Sequence, residues 1–322
     1  MPDPKGPDRV GAALHEPDLD GTVSWRDLLA ETEARLSAAG LPAREARWIV
    51  DEASGAASTA ELDGPASARG VAHLDAMVER RLGGEPLQYV LGRWAFRTLD
   101  LMVDRRVLIP RPETEVVAGL ALLEVDRRAA GGHEGGRSGG GVGDGPVLVA
   151  DLGTGSGAIG LSIAAERTRS QVWCVDVSTD AVAVARANCA GLGRPAQRVV
   201  VSEGSWFDGL PGDLAGRLDV VVSNPPYVAP DEVLPDEVAH WEPNMALFSP
   251  GDGSPGDGTA DLRTLVDGAP AWLAPGGALV LEMAPDQTEA MVAHAEMAGY
   301  VDVAVHPDLA GRDRALVARR PT

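Results

Sequence analysis

Cysteine is scarce here: Cys174 and Cys189 are the only two in 322 residues. That is too few for a disulfide scaffold and fits a reducing cytoplasm. One falls in a strand-like run and the other in a helical one, so both read as core residues. The six histidines show no spacing suited to a metal. No run of eighteen apolar residues exists, and no membrane span is expected. The opening Met1 to Asp8 lacks the apolar core of a signal peptide, so the expected location is cytoplasmic. Basic residues are outnumbered by acidic ones, 28 to 48, for a formal net charge of −20. They form no run; Arg80-Arg81, Arg105-Arg106 and Arg127-Arg128 are no more than pairs. Gripping a nucleic-acid backbone needs a basic footprint, so no direct nucleic-acid binding is expected. The acidic balance serves solubility or steers towards a basic protein partner.

What is present is enough chain for two domains. Residues 1–21 are rich in Pro, Asp and Gly and read as a disordered tail. Ser24 with Asp27 forms a capping-box pattern opening a helix that Gly40 ends. A second helix follows Pro42 and carries Trp48, Ile49 and Val50; a third stops at Gly83-Gly84. Residues 22–92 thus form a small N-terminal helical domain. Residues 93–110 read as a β-hairpin linker. From 111 to 322 a helix is followed by strand-like runs at 147–151, 171–176, 198–202, 218–223 and 277–283, alternating with helices. This predicts an α/β, doubly wound, Rossmann-like sheet. Two further runs near 300–305 and 314–319, close enough to pair antiparallel, make it seven-stranded. Residues 131–145, mostly glycine, read as a surface loop.

The β-branched run Asp219 to Ser223 ends in Asn224-Pro225-Pro226-Tyr227. Asparagine before proline is pushed out of helical geometry, and two prolines fix φ and remove two donors. The strand therefore ends in a stiff corner presenting carbonyl oxygens, an Asn oxygen and an aromatic face. Those are the acceptors that an amide or amino-purine NH2 group needs. Asn-Pro alone is also an ordinary turn former.

A second motif changes the balance. Pro146 to Asp151 is a strand-like run followed by Gly153-Thr154-Gly155-Ser156-Gly157 and a helical stretch. Strand, glycine loop and helix let bare backbone approach a nucleotide-like ligand. Gly155, Gly157 and Gly160 also match a dinucleotide fingerprint, but 39 glycines make chance matches common. Asp151 before the loop repels a pyrophosphate and suits a ligand carrying an ammonium and a sulfonium; a cap or turn carboxylate is the plainer reading. Asp176 ends the next strand, placed to accept from ribose hydroxyls. Loop and corner together point to an N-methyltransferase using S-adenosyl-L-methionine (AdoMet).

Beyond these motifs the chain carries Pro86 to Gly92, Val107 to Glu115 with Arg111-Pro112-Glu113-Thr114-Glu115, Ser205-Trp206-Phe207, Glu242-Pro243 and Gly311 to Arg314. Over roughly residues 22 to 320 it closely resembles the release-factor glutamine methyltransferases, the PrmC/HemK family. The resemblance implies methyl transfer to the side-chain amide nitrogen, N5, of the glutamine in the Gly-Gly-Gln motif of peptide chain release factors. It implies that Gly153, Thr154, Gly155, Ser156 and Gly157 cradle the cofactor, Asp176 holds the ribose and Trp206 flanks the adenine. Asn224 borders the cofactor, and Asn224, Pro225, Pro226 and Tyr227 hold the glutamine amide, with Phe96 on the opposite wall. Catalysis falls to Asn224 and Pro225 as acceptors and to Tyr227 stacked on the amide. The helical domain is implied to grip the release factor. Ser205 replaces an acid common in relatives, which shifts adenine recognition to Glu203 or backbone. Leu281 to Pro285 replaces a strand end usually written with glycine, and Ser249 to Gly258 holds an insertion at the pocket rim.

The rival substrates are a glutamine of a ribosomal protein and the N6 of adenine in nucleic acid. The second demands a basic, base-flipping apparatus that this composition does not suggest. A catalytically silent AdoMet-binding partner protein is a rival of another class, and intact Asn224 and Tyr227 argue against it.

Overall fold

The computed structural model describes residues 22–131, 145–249 and 257–322. The expected tail, nearly all of the glycine-rich loop and most of the 249–258 insertion lie outside these described residues. The chain forms two compact units that divide after Gly83.

In the first unit Ser24 caps α1 (Trp25–Ala38): its hydroxyl accepts from the Asp27 N–H, and Asp27 reaches back to the Ser24 N–H. This is the reciprocal box the sequence predicts. Helices α2 (Glu45–Ser54) and α3 (Ala68–Leu82) follow, and α3 stops at Gly83. Leu36, Ile49, Val50, Leu62 and Val78 are fully buried. Arg81 and Glu45, 2.7 Å apart and nearly sealed from solvent, tie α3 to α2. Trp48, next to the buried Ile49 and Val50, is 46% exposed. Ala46, Ile49 and Val50 occupy i, i+3 and i+4 on one helix face, and Trp48 lies off it.

The second unit begins with α4 (Leu87–Leu91) and the antiparallel hairpin β1 (Arg93–Phe96) and β2 (Leu99–Met102). Residues 84–92, expected with the helical domain, pack here: the buried Tyr89 donates its hydroxyl to the Val107 carbonyl, and Val103 N–H donates to the Gly92 carbonyl. Then come α5 (Pro112–Gly131), β3 (Val147–Leu152), α6 (Ala158–Glu166), β4 (Ser170–Asp176), α7 (Thr179–Gly191), β5 (Val199–Glu203) and β6 (Leu218–Ser223). The chain continues through α8 (Asp236–Trp241), α9 (Asn244–Leu247), α10 (Ala260–Trp272), β7 (Leu273–Glu282), α11 (Thr288–Met297), β8 (Val301–Pro307) and β9 (Asp313–Arg319).

Seven strands form one sheet in the order β5-β4-β3-β6-β7-β9-β8. The first five positions are parallel, and β9 inserts antiparallel between β7 and β8. Val220 and Val222 join one core cluster and Val221 the other. The strand is therefore covered on both faces, which is what a continuous β-branched run in a parallel sheet requires. Chain order reverses at β3, with β4 on one side and β6 on the other, and ligands bind outside the carboxyl ends at such a switch point. Register makes this concrete. Leu152 pairs with Val175 of β4 and with Ser223 of β6, so the three strands end level. Ser223 Oγ also donates to the Leu152 carbonyl at 2.6 Å.

Candidate active site

Beyond those level strand ends lies a cleft of about 840 Å³ within the second unit. Gly153, Thr154, Gly155, Ser156, Asp176, Trp206, Asn224 and Pro226 all line it. Strand pairing therefore brings together two motifs about seventy residues apart in sequence, because β3 and β6 are bonded neighbours.

The glycine loop is held mostly by backbone donors. Asp151 Oδ2 accepts from Thr154 Oγ1 at 2.6 Å and from the Gly160 N–H, in the first turn of α6, at 2.8 Å. Asp176 accepts from the Gly155 N–H at 2.8 Å and the Ser178 N–H at 2.9 Å. Gly157 takes a φ of +87° as it caps α6, a conformation that side-chain-bearing residues rarely adopt. It stands behind the cleft lining. Asn188 of α7 stitches the loop to the hairpin, donating to the Ser156 and Met102 carbonyls and accepting from Met102 N–H. Nothing in the sequence marked Asn188 for this.

Burial pushes the Asp151 carboxyl up to about 6 against the pull of its two donors. Burial also raises the Asp176 carboxyl, opposed by backbone N–H groups. All of these donors are neutral, so ionisation leaves negative charge on the cleft floor for a ligand to balance. That fits the ammonium and sulfonium of AdoMet and disfavours a pyrophosphate. Asp151 is a turn carboxylate, since its Oδ2 ties the loop, and the residue also lines the cleft. Trp206, in a left-handed conformation with φ of 48°, lies against Gly153, where a Cβ would sit 3.3 Å from its ring. A non-glycine residue in that region is uncommon and clusters at functional sites.

The Asn224 elbow is held differently. Asn224 Nδ2 donates to Thr114 Oγ1 of α5 at 3.2 Å. The other side-chain atom, Oδ1, is the acceptor that remains available. Tyr227 donates its hydroxyl to Glu282 Oε1 at the end of β7, at 3.1 Å, and Gln287 Nε2 donates to the Tyr227 carbonyl at 2.9 Å. A Cβ at Gly258 would collide with that same carbonyl. Burial pushes the Glu282 carboxyl up to about 7; the Thr114 hydroxyl, Arg314 and Tyr227 oppose the rise.

Two expected site residues lie outside the cleft lining. Phe96 is 1% exposed in the core cluster with Leu101, Val117 and Ile159 and does not line the cleft. In the two-stranded hairpin it is the only β1 residue that is buried, and that face packs on the core. Tyr227 does not line the cleft either, because Glu282 draws its hydroxyl inward and the ring packs on the core. Pro225 is buried, between the partly exposed Asn224 and Pro226 in the chain.

The remaining wall is a strap running from Val228 to Ser249. Glu242 anchors it, accepting from the Ile109 N–H at 3.1 Å and from Arg111. The Arg105 guanidinium sits 5.5 Å from the Trp241 ring centroid. Pro243, Met245, Ala246 and Phe248 then face the cleft. Glu203, offered for adenine recognition, is exposed and does not line the cleft, whereas Gly204 and Ser205 do. No described helix is long and apolar enough to cross a membrane.

A family model described as the methyltransferase small domain matches residues 146–240, and one described as the PrmC N-terminal domain matches residues 27–92. The release factor glutamine methyltransferase of Xylella fastidiosa (strain 9a5c) is 43% identical over 260 residues, 80% of this chain and 85% of that protein. The protein of the same name from Cereibacter sphaeroides is 37% identical over 302 residues, 92% of this chain and 98% of its own length. Among solved structures, a methyltransferase from Pyrococcus furiosus aligns over 76% of this chain and 98% of its own, at 17% identity and a TM-score of 0.46.

Proposed function

This chain belongs to the release factor glutamine methyltransferases, and on that footing we propose that it transfers a methyl group from AdoMet to the glutamine side-chain amide of a Gly-Gly-Gln motif in a peptide chain release factor. The observation that carries the reading is the register of β3 against β6, with Leu152 opposite Ser223, which sets the glycine loop and the Asn224 elbow side by side. AdoMet, when bound, supplies a methyl already activated by sulfonium.

The protein's task is orientation, because an amide nitrogen is a poor nucleophile. Gly153 to Gly157, with Asp151, Asp176 and Trp206, form the cofactor side. Asn224 Oδ1 accepts one hydrogen of the substrate carboxamide, and the Pro225 carbonyl accepts the other. Pro226 stiffens the elbow, and Tyr227 braces it from behind. Two acceptors aimed at one NH2 group fix the nitrogen and stabilise positive charge growing on it. The apolar strap residues Pro243, Met245 and Phe248 shield the site from water. Neither a ribosomal-protein glutamine nor adenine is favoured by the relatives' names, and the net charge of −20 opposes a nucleic-acid substrate.

The test is incubation of the protein with purified release factors and methyl-labelled AdoMet, followed by mass spectrometry of the Gly-Gly-Gln peptide. Label on that glutamine is the expected result. Label on nucleic acid alone would overturn the substrate.

A further inference from the structure

Glu282 is buried more deeply than its surroundings explain. It is 1% exposed at the end of β7, and burying a carboxylate is costly unless hydrogen bonds or a cation compensate. Oε1 takes the Tyr227 hydroxyl, while Oε2 accepts no hydrogen bond. Nor does the nearby Arg314 hydrogen-bond it: Arg314 Nη1 donates to the Met283 carbonyl, and its Nε makes no hydrogen bond and faces Asp308 Oδ2 at 3.8 Å. A carboxylate kept only for packing would be replaced at a gain by an apolar residue of similar volume. What it does have are two hydroxyl neighbours, Tyr227 and Thr114, each belonging to the support of the elbow.

Thr114 is the link. Its oxygen accepts from Asn224 Nδ2, and its one hydrogen must go elsewhere. The Glu282 carboxyl is the buried acceptor that Thr114 acts on, and its Oε2 has no other hydrogen bond. A hydroxyl whose hydrogen is committed to Glu282 presents only lone pairs to Asn224. The Asn224 amide must then turn its NH2 towards Thr114 and its oxygen towards the cleft. Were the Thr114 hydrogen free to point at Asn224, the amide could flip and offer a donor where substrate needs an acceptor.

We propose that Glu282 is a positioning residue for methyl transfer, accepting from Thr114 and Tyr227 together and so fixing which way the Asn224 amide faces. This rests on the amide-transfer reading above and deepens it. The arrangement requires both carboxylate oxygens to accept. Protonation converts one of them into a donor, which competes for Thr114 and releases the amide. With the carboxyl held near 7 by burial, the acceptor form is complete above that pH and is lost below it. The charged or titratable groups facing Glu282 are Arg314, Tyr227 and Glu113. Tyr227 is raised above its ordinary value and stays neutral. Glu113, in the first turn of α5, pairs with Arg312.

The experiment compares wild type with Glu282→Gln and Glu282→Ala. Gln is isosteric but replaces one acceptor by a donor, which imitates the protonated acid. The first readout needs no turnover. The chain has three asparagines, Asn188, Asn224 and Asn244, so selective 15N labelling gives three side-chain NH2 signals, and the one lost in Asn224→Asp belongs to Asn224. Glu282→Gln should shift that signal and leave the Asn188 signal in place. The second readout is methyl transfer to a release factor across pH 5.5 to 9, with AdoMet affinity by calorimetry. Wild-type kcat should rise through about pH 7, the value to which the Glu282 carboxyl is pushed. Glu282→Gln should lose that rise and sit about tenfold lower, and Glu282→Ala about a hundredfold lower, with AdoMet affinity within about twofold. An Asn224 signal unmoved in folded Glu282→Gln, or a kcat–pH profile matching wild type, overturns the proposal. Wild type that methylates no release factor refutes the function instead, and the Asn224 signal still decides the positioning role.

Discussion

The two sides of the cleft are held by different kinds of bond. On the cofactor side, Asp151 and Asp176 accept mostly from backbone N–H groups that lie 2, 9 and 21 residues along the chain. On the substrate side, Asn224 leans on Thr114, 110 positions away, and Tyr227 on Glu282 and Gln287, 55 and 60 away. Local backbone bonds make a cradle that survives side-chain change nearby. Long-range side-chain bonds make an elbow whose aim depends on single atoms. The cofactor side should therefore fail in binding when it is altered, and the substrate side in turnover.

The strongest break in that comparison is Asn224→Ala. It removes an acceptor that no neighbour replaces, so kcat should fall about a hundred- to a thousandfold. AdoMet affinity by calorimetry should stay within about twofold, and a parallel loss of binding would merge the two sides. Next is Phe96→Ala. With the side chain in the core, unfolding in urea should show a loss of about 3 kcal/mol or more, with KM for the release factor unchanged once folded.

Asp151→Asn tests the cofactor side. The folded-state carboxyl is raised from 3.8 to about 6, so the folded protein binds this proton more tightly than the unfolded chain does. Ligand-free stability from this group is full below about pH 4 and is lost as pH rises through 6, on the order of 3 kcal/mol. Asp151→Asn escapes that loss, and its ligand-free Tm at pH 8 should exceed that of wild type. The charge that AdoMet uses goes with it. Affinity should drop about tenfold and no longer strengthen between pH 5 and 7, as calorimetry would show. The smallest effect is Thr114→Val, close in shape but without the oxygen that Asn224 leans on. Steady-state kinetics should show kcat about tenfold lower with AdoMet affinity unchanged.

The same contrast explains what the sequence disclosed. Strands were legible because Val220 to Val222 and Pro146 to Asp151 are short apolar runs bounded by turn residues. The capping box at Ser24 and the stop at Gly83 were legible because the bonds span four residues or fewer. The cleft followed, since strand ends of a doubly wound sheet collect ligands on one edge. The supports of the elbow were not legible. Nothing near Tyr227 indicates that its hydroxyl is claimed by Glu282, so a stacking role was the natural expectation. Phe96 sits in a four-residue strand, too short for alternation to reveal which face packs inward. Glu242 stood out only as part of a resembling segment, and its bonds to Ile109 and Arg111 reach back more than 130 positions.

A crystal structure with S-adenosylhomocysteine and a Gly-Gly-Gln peptide tests the shared cleft most directly. The account predicts the sulfur against Gly153 to Gly157 and the carboxamide nitrogen about 3 Å from Asn224 Oδ1. A carboxamide bound elsewhere, with Asn224 turned away from it, would contradict the account.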